Sequence, residues 1–277
     1  MFLGYNTNGF AHHRLTDAIA ILAELGYHGI AITPDFHSLG DATDPAFPQH
    51  LEQVHELLQK QKLRCVIETG ARFILDPRRK HQPTLLSQDA SEREQRASFL
   101  RFATKMALTL EADAVSFWSG SATSNEPRDV LMARLVEECQ QLADSAPTMR
   151  FAFEPEPGMF ISTMPAFAEL HEKVNRPNFG LTLDVGHLVC ENELPIRHHI
   201  ENWQKWLWNV HIEDMRKGVH DHLMFGEGDV DFADIFAGLQ AIDYRLGVYV
   251  ELSRHSYDAM RTAQRSELFL REYLEKP

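Results

Sequence analysis

The sequence predicts a single (β/α)8 barrel of the TIM type, and three observations lead to this fold class. Eight short apolar runs alternate with longer amphipathic segments. Successive runs begin 27 to 50 residues apart, which is the size of one strand–helix unit. Several runs are continuously apolar, as expected for parallel strands that are covered on both faces. With 277 residues, the chain has the length of one such barrel, so we expect one domain over residues 1–277.

The predicted strands are separated by segments with helical periodicity. Leu15, Ile19, Leu22 and Leu25 lie on one helix face, and this pattern stops at Gly26. No GxGxxG motif follows the first run, which disfavours an open doubly wound sheet. In chain order the runs are FLGYN from Phe2, GIAIT from Gly29, RCVIE from Arg64, AVSFW from Ala114, RFAFE from Arg150, GLTLD from Gly180, WNVHIED from Trp208 and GVYVE from Gly247.

Charge and cysteine content restrict the class of protein. The chain has 27 Lys and Arg against 40 Asp and Glu, a net charge of −13, and so repels the phosphates that a nucleic-acid-binding protein must neutralise. Three cysteines without CxxC spacing fit a reducing compartment. The sequence has neither a signal-peptide pattern nor an apolar run of 18 residues. We therefore expect a cytoplasmic protein with no nucleic-acid or membrane partner; a homo-oligomer is compatible with the sequence.

Polar residues end five of the predicted strands: Glu68, Glu154, Asp184, His211 and Glu251. The C-terminal ends of barrel strands meet at one mouth, where catalytic groups lie. Burying several carboxylates together is costly unless a cation compensates them. Glu154, Asp184, His211 and Glu251, called the quartet below, provide three carboxylates and one imidazole from consecutive strands. Such a donor set predicts a site for Mn²⁺, Mg²⁺, Co²⁺ or Zn²⁺.

Three further histidines, His187, His220 and His222, lie just beyond strand ends and are called the histidine triad below. We predict that they face the mouth, as ligands of a second metal ion or as substrate contacts. His37, which follows the second strand, either lines the mouth or belongs to a polar loop.

The run from Phe153 to Glu251 resembles the xylose isomerase-like barrel superfamily. That superfamily contains sugar and sugar-phosphate isomerases and epimerases, inosose and 3-dehydroshikimate dehydratases, and the endonuclease IV family. The motifs that carry the resemblance are a Glu ending strand five, DVGH at 184–187, HIED at 211–214, GEG at 226–228 and a Glu ending strand eight.

The resemblance implies that the quartet binds the metal and that His187 contacts substrate or a further metal. His220 and His222 occupy the positions of a zinc-binding Asp-x-His pair in endonuclease IV members, although the first residue here is His. Either Glu154 or Glu156 could be the ligand of strand five; we favour Glu154 because it directly ends the apolar run.

Two positions depart from the ketose 3-epimerase branch of that superfamily. Phe160 stands where that branch usually has Glu, and Lys217, beside Arg216, stands where it has Arg. The resemblance therefore indicates the superfamily more strongly than the reaction.

The favoured function is that of a metal-dependent isomerase or epimerase that acts on a sugar, sugar phosphate or polyol-derived ketone through an enediolate. Glu154 and Glu251 would approach from opposite sides of the mouth and exchange the proton. Alternatives are a dehydratase of the inosose or dehydroshikimate type with His187 as acid, and a non-catalytic metabolite-binding barrel. The acidic charge disfavours an endonuclease IV-type hydrolase. The candidate contacts for the small carbohydrate-like substrate are Glu68, His37, Glu156, Trp118, Lys217 and Arg254.

Overall fold

The computed structural model describes residues 1–41 and 43–274, and in this part of the chain eight parallel strands close into a barrel, which confirms the predicted fold. The barrel strands follow one another around the ring in chain order, and the last pairs with the first. The strands are β1 (Phe2–Asn6), β2 (Gly29–Ile32), β3 (Arg64–Glu68), β4 (Val115–Phe117), β5 (Phe151–Phe153), β6 (Phe179–Asp184), β7 (Leu207–Ile212), β8 (Asp214–Arg216), β9 (Val219–Leu223) and β10 (Gly247–Val250). Of these, β8 and β9 form a separate antiparallel hairpin beyond β7.

Helices pack around the barrel, and their apolar faces cover the strands. The first helix buries Leu15, Ile19 and Leu22, as their spacing predicts. It ends just before Gly26, whose φ of +92° favours glycine. The helices are α1 (Leu15–Glu24), α2 (Phe47–Gln61), α3 (Ala90–Thr109), α4 (Arg128–Ser145), α5 (Met164–Val174), α6 (Val185–Cys190), α7 (Ile196–Trp203), α8 (Phe232–Ala241) and α9 (Ala259–Leu274).

The N-terminal half of the barrel interior is apolar. Tyr249 and Trp208 fill it together with small side chains such as Ala31 and Ala152. Gly4 lies beside Tyr249, and a Cβ at Gly4 would overlap the tyrosine ring. This end of the barrel is therefore a packed core rather than a channel.

The interior becomes polar towards the C-terminal ends of the strands. Alternate residues of a strand point to the same face. Glu154 therefore follows Ala152 into the barrel, and Glu251 follows Tyr249. The period of two thus places the polar strand ends at one mouth, above the apolar core.

Within residues 1–41 and 43–274, no helix combines the length and the apolar character needed to cross a membrane.

Candidate metal centre and active site

The structure brings the quartet together at the mouth. Each of its four members offers one ligand atom, and these atoms lie within 4.8 Å of one another. His211 Nδ1 is 3.0 Å from Glu154 Oε1, 2.9 Å from Glu251 Oε2 and 3.9 Å from Asp184 Oδ2. Three carboxylates, from the ends of β5, β6 and β10, therefore converge on one ring nitrogen of His211 in β7.

The quartet fits a divalent cation. Asp184 is 2% exposed and His211 is 1% exposed. Asp184 Oδ2 accepts no hydrogen bond from the described residues, although its partner atom Oδ1 accepts one from the backbone N–H of His187 at 2.8 Å. A buried carboxylate oxygen without a donor is costly, and a cation among three carboxylates and an imidazole would satisfy it.

A buried glutamate orients the histidine of the quartet. His211 Nε2 lies 2.9 Å from Glu68 Oε1, which also accepts a hydrogen bond from Asn209 Nδ2 at 2.9 Å. Because the carboxylate is an acceptor, Nε2 carries the hydrogen, and the lone pair of Nδ1 is left for a metal ion when the ring is neutral. Glu68, a substrate-contact candidate in the sequence, is thus a hydrogen-bond partner of His211 that also lines the cavity.

Burial and attraction act against each other in the quartet. Burial lowers the pKa of His211, but the carboxylates of Glu68, Glu154 and Glu251 outweigh it and raise that pKa well above its usual range. For the carboxylate of Glu154, burial has the opposite effect and raises the pKa. For Glu251 the attraction of His211 outweighs burial, and the pKa is lowered. The quartet therefore retains positive charge on His211 in the absence of a cation, and the groups titrate as a unit.

The histidine triad forms a second cluster beside the quartet, and its ring nitrogens also lie within 4.8 Å of one another. His220 and His222 point to the same face because they alternate along β9. His187 Nδ1 donates to the carbonyl of Pro155 at 3.1 Å, and His187 Nε2 lies 3.0 Å from His220 Nε2. Burial lowers the pKa of His187 to about 4, so the ring is neutral at neutral pH.

A cavity of about 650 Å³ opens above the quartet. Four predicted substrate contacts, Glu68, Glu156, Trp118 and Arg254, line it together with the histidine triad. Burial raises the pKa of Glu156 to about 8, and the negative charges of the quartet add to the shift. Glu154, rather than Glu156, belongs to the group with metal-ligand spacing.

The structure does not bring His37 and Lys217 to this cavity. His37 is exposed in a tight loop, in which the backbone N–H of Asp35 donates to the carbonyl of Ser38 at 3.0 Å. Lys217 is exposed in the turn between β8 and β9, and its backbone N–H donates to Asp229 at 3.2 Å. Both residues follow strands closely in the chain, but the intervening turns point them away from the mouth.

Sequence reasoning missed three residues at the mouth. Asn8 Nδ2 donates to Glu251 Oε1 at 2.8 Å, and Arg72 donates to the carbonyl of Asn8 at 3.0 Å. Glu213 is completely buried, and one of its carboxylate oxygens lies within 4.8 Å of a carboxylate oxygen of Asp184. A sequence signal for Glu213 existed, since it stands two residues beyond His211 and alternation places such residues on one face.

Comparison with known proteins places this architecture in a family. The profile of the xylose isomerase-like TIM barrel family matches residues 19–273. The chain belongs to this family. Its curated relatives include an uncharacterised protein of Methanocaldococcus jannaschii, 27% identical over 119 residues (43% of this chain and 39% of that protein). Another is the L-ribulose 3-epimerase of Methylomonas sp., 38% identical over 74 residues (27% of this chain and 24% of that protein). The chain thus matches less than half the length of either relative.

Solved structures share this fold at low sequence identity. A D-tagatose 3-epimerase-like protein superposes with a TM-score of 0.82 at 20% identity, covering 99% of this chain and 97% of the other. The IolI protein with a bound zinc atom has a TM-score of 0.78 at 18% identity, covering 99% and 98%. The probable 3-DHS dehydratase AsbF of Bacillus anthracis has a TM-score of 0.76 at 17% identity, covering 98% and 99%. Proteins with this fold thus include a 3-epimerase-like protein, a zinc-binding protein and a probable dehydratase.

Proposed function

We propose that the chain is a divalent-metal-dependent isomerase or epimerase that acts on a sugar, a sugar phosphate or a polyol-derived ketone. The observation that carries the proposal is the convergence of Glu154 and Glu251 on His211 Nδ1, beside the unpartnered Asp184 Oδ2, under a cavity of about 650 Å³. The epimerases among the relatives support the same substrate class. When bound, a divalent cation would polarise the substrate carbonyl and acidify the neighbouring C–H group.

The two glutamates are placed to move the proton. Their carboxylates lie within 3.0 Å of the same ring nitrogen, and their strands are separated by β6 and β7. The sequence predicts that the two glutamates approach from opposite sides of the mouth. Their carboxylates instead flank one point, the ring nitrogen of His211. One carboxylate removes the proton next to the carbonyl and the other returns it, while Asn8 holds Glu251 in place.

The dehydratase alternative requires an acid for the departing hydroxyl group. The sequence predicts His187 as this acid, but burial lowers the pKa of His187 to about 4. A neutral imidazole is a poor acid at neutral pH, so the dehydratase would need a different acid. Glu156, whose pKa burial raises to about 8, lines the same cavity and is the residue that could supply it.

The test is proton exchange at carbon. The metal-free and the Mn²⁺-loaded protein are incubated in D₂O with ketoses, sugar phosphates, inososes and dehydroshikimate, and NMR follows deuterium at the carbon next to the carbonyl. We expect metal-dependent exchange with at least one ketose or ketose phosphate. Elimination of water from an inosose or dehydroshikimate would instead indicate the dehydratase, and the absence of both reactions would indicate a binding protein.

Two variants assign the proton transfer. Glu251→Gln and Glu154→Gln keep the size of the side chain but cannot accept a proton, so each should slow exchange about 10²–10⁴-fold. Glu227→Gln, which changes an exposed glutamate, should exchange as the wild type does. Wild-type exchange rates in both quartet variants would rule out the mechanism.

A further inference from the structure

The loop that joins β3 to α3, residues 69–89, brings a free positive charge to the rim of the cavity. It contains Arg78-Arg79-Lys80, the only run of three basic residues in a chain of net charge −13. Arg79 is already paired with two carboxylates close to it in the chain. Lys80 lines the cavity, and in the described part of the chain no carboxylate forms an ion pair with it.

His81, the next residue, adds an unused N–H group. Burial lowers the pKa of His81 to about 3, and the charges of Lys80, Arg96 and Arg72 add to the shift, so the ring is neutral. Its Nδ1 accepts a hydrogen bond from the backbone N–H of Arg72 at 3.2 Å, and the ring hydrogen is therefore on Nε2. His81 lines the cavity, and its Nε2 donates to no acceptor among the described residues. Two adjacent residues thus offer free donors to one cavity.

Two reciprocal hydrogen bonds hold His81 in this orientation. The backbone N–H of His81 donates to the carbonyl of Arg72 at 2.6 Å, and the N–H of Arg72 donates back to His81 Nδ1. Both residues have a positive φ, +43° for Arg72 and +64° for His81, which is uncommon for residues other than glycine. Backbone strain of this kind clusters at ligand-binding sites. The guanidinium of Arg72 is itself paired with Asp35 at 3.1 Å, so the unpaired charge at this rim belongs to Lys80.

A buried guanidinium adds positive potential behind the same wall of the cavity. Arg96 is 1% exposed, and its Nη1 has no hydrogen-bond acceptor among residues 1–41 and 43–274. Its Nη2 donates to the carbonyl of Thr69 at 2.8 Å, and the guanidinium lies 4.7 Å from the ring centroid of Trp118. Thr69 and Trp118 both line the cavity. A buried charge without a paired carboxylate is costly, and an anion bound at this wall would offset part of the cost.

We propose that Lys80 and His81 form a subsite for an anionic group, a phosphate or a carboxylate, at the end of the ketose away from its carbonyl. The inference rests on the proposed function, because the quartet would hold the carbonyl end. In the order of the ring β3 lies opposite β7, the strand of His211. A substrate that reaches from the quartet to Lys80 therefore spans the cavity. A phosphate monoester suits the subsite best, since its oxygens can accept from the ammonium group and from Nε2–H together.

Matched ligands test the subsite. Titration calorimetry on the Mn²⁺-loaded protein compares fructose, fructose 6-phosphate and fructuronate, the corresponding tagatose series, and ribulose with ribulose 5-phosphate. Within each series the ligands differ at the terminal carbon, which carries a hydroxyl, a phosphate or a carboxylate group. We expect an anionic member to bind about 10–100-fold more tightly than its neutral ketose, the range for a hydrogen bond to a charged group. The comparison of phosphate with carboxylate identifies which anion the subsite accepts.

Lys80→Gln should abolish this preference and leave the Kd of the neutral ketose unchanged. Arg78→Gln is the matched control, because it removes the same charge from the same loop at an exposed residue that does not line the cavity. It should keep the wild-type preference, and an equal loss in both variants would overturn the subsite. Electron–nuclear double resonance on the Mn²⁺ protein should show no phosphate oxygen coordinated to the metal. Direct coordination would place the anion on the quartet and would also overturn the inference.

The outcomes separate this inference from the proposed function. Equal affinity for the neutral and anionic ligands of every series, or a preference retained in Lys80→Gln, would overturn the subsite. Metal-dependent deuterium exchange with a neutral ketose would in that case leave the proposed function standing. A preference that Lys80→Gln abolishes, without exchange in any ligand, would support the subsite and refute the isomerase.

Discussion

His211 donates a hydrogen bond through Nε2 to Glu68 Oε1, at 2.9 Å. This contact connects β3 with β7 across the barrel interior and turns Nδ1 towards the carboxylates of the quartet. In metal sites, the acceptor bound to the second ring nitrogen of a histidine sets the tautomer and the basicity of the imidazole that binds the metal. Glu68 therefore acts on the metal site through His211, in addition to lining the cavity.

Glu68→Gln should weaken metal binding about 10–100-fold. The amide keeps an oxygen acceptor but loses the negative charge that strengthens the bond to His211. Titration calorimetry with Mn²⁺ measures the change in Kd, and Glu227→Gln serves as the control. An unchanged Kd would mean that the carboxylate at this position does not influence the quartet.

Metal removal should lower thermal stability. A cation that binds the folded state alone stabilises it by about 2.7 kcal/mol at a concentration of 100 Kd, and it also relieves the crowding of the three carboxylates around His211. We expect a chelator to lower the Tm of the wild type. In a variant with both Glu154→Gln and Glu251→Gln, the chelator should change the Tm little, and an equally large shift there would place the stabilising ion elsewhere.

Acid should destabilise the protein partly through His81. Burial lowers the pKa of His81 to about 3, and nearby positive charges add to the shift. The unfolded chain protonates this ring near pH 6.5, so folded-state stability is lost as the pH falls from 6.5 towards 3. This contribution amounts to about 2 kcal/mol between pH 7 and pH 5.

His81→Asn should remove this part of the acid sensitivity. Asparagine tolerates the positive φ of this position, +64°, and its Oδ1 can replace Nδ1, which accepts from the backbone N–H of Arg72. Urea unfolding at pH 7, 6 and 5 should show a smaller loss in the variant than in the wild type. Substitution of the exposed His12 by Asn is the control, and equal losses in wild type and His81→Asn would contradict the prediction.

Asp214→Asn should loosen the hairpin that carries His220 and His222. Asp214 Oδ1 accepts from the backbone N–H groups of Met215 at 3.0 Å and Val230 at 3.1 Å, and Oδ2 accepts from Gly226 at 2.8 Å. An amide removes the charge and leaves one of these partly buried donors facing an NH₂ group, which costs about 1 kcal/mol.

Hydrogen exchange is the measurement for Asp214→Asn. Amides of residues 214–230 should exchange faster in the variant, while the barrel strands β2 to β4 should stay as protected as in the wild type. Unaltered exchange in residues 214–230 would show that the carboxylate is not what holds this segment.

Much of the site follows from local pattern alone. Because side chains alternate along a strand and the C-terminal ends of barrel strands converge, a polar residue that ends a strand two positions beyond an inward-facing residue reaches the mouth. Glu154 after Ala152 and His211 after Asn209 obey this rule, and their ligand atoms lie within 4.8 Å of one another. The closed barrel itself follows from eight repeats of the same strand–helix unit.

Residues in loops followed no such rule. His37 and Lys217 stand close to strand ends in the chain, but both are exposed and do not line the cavity. Asn8 and Arg72 do line it, and they belong to segments outside the barrel strands. Turn geometry depends on contacts with distant parts of the chain, which a single sequence does not reveal.

What the sequence by itself determined is the barrel and the metal-ligand character of its mouth, because both arise from periodicities within single strands and helices. The tertiary structure alone decided which of the polar atoms remain unsatisfied. His187 Nε2 and His220 Nε2 lie within hydrogen-bond distance of each other. Asp184 Oδ2 and both oxygens of Glu213, by contrast, accept no hydrogen bond from an N–H or O–H group of the described chain. Hydrogen-bond satisfaction is a property of residues that meet from different strands, so it emerges once the barrel is closed.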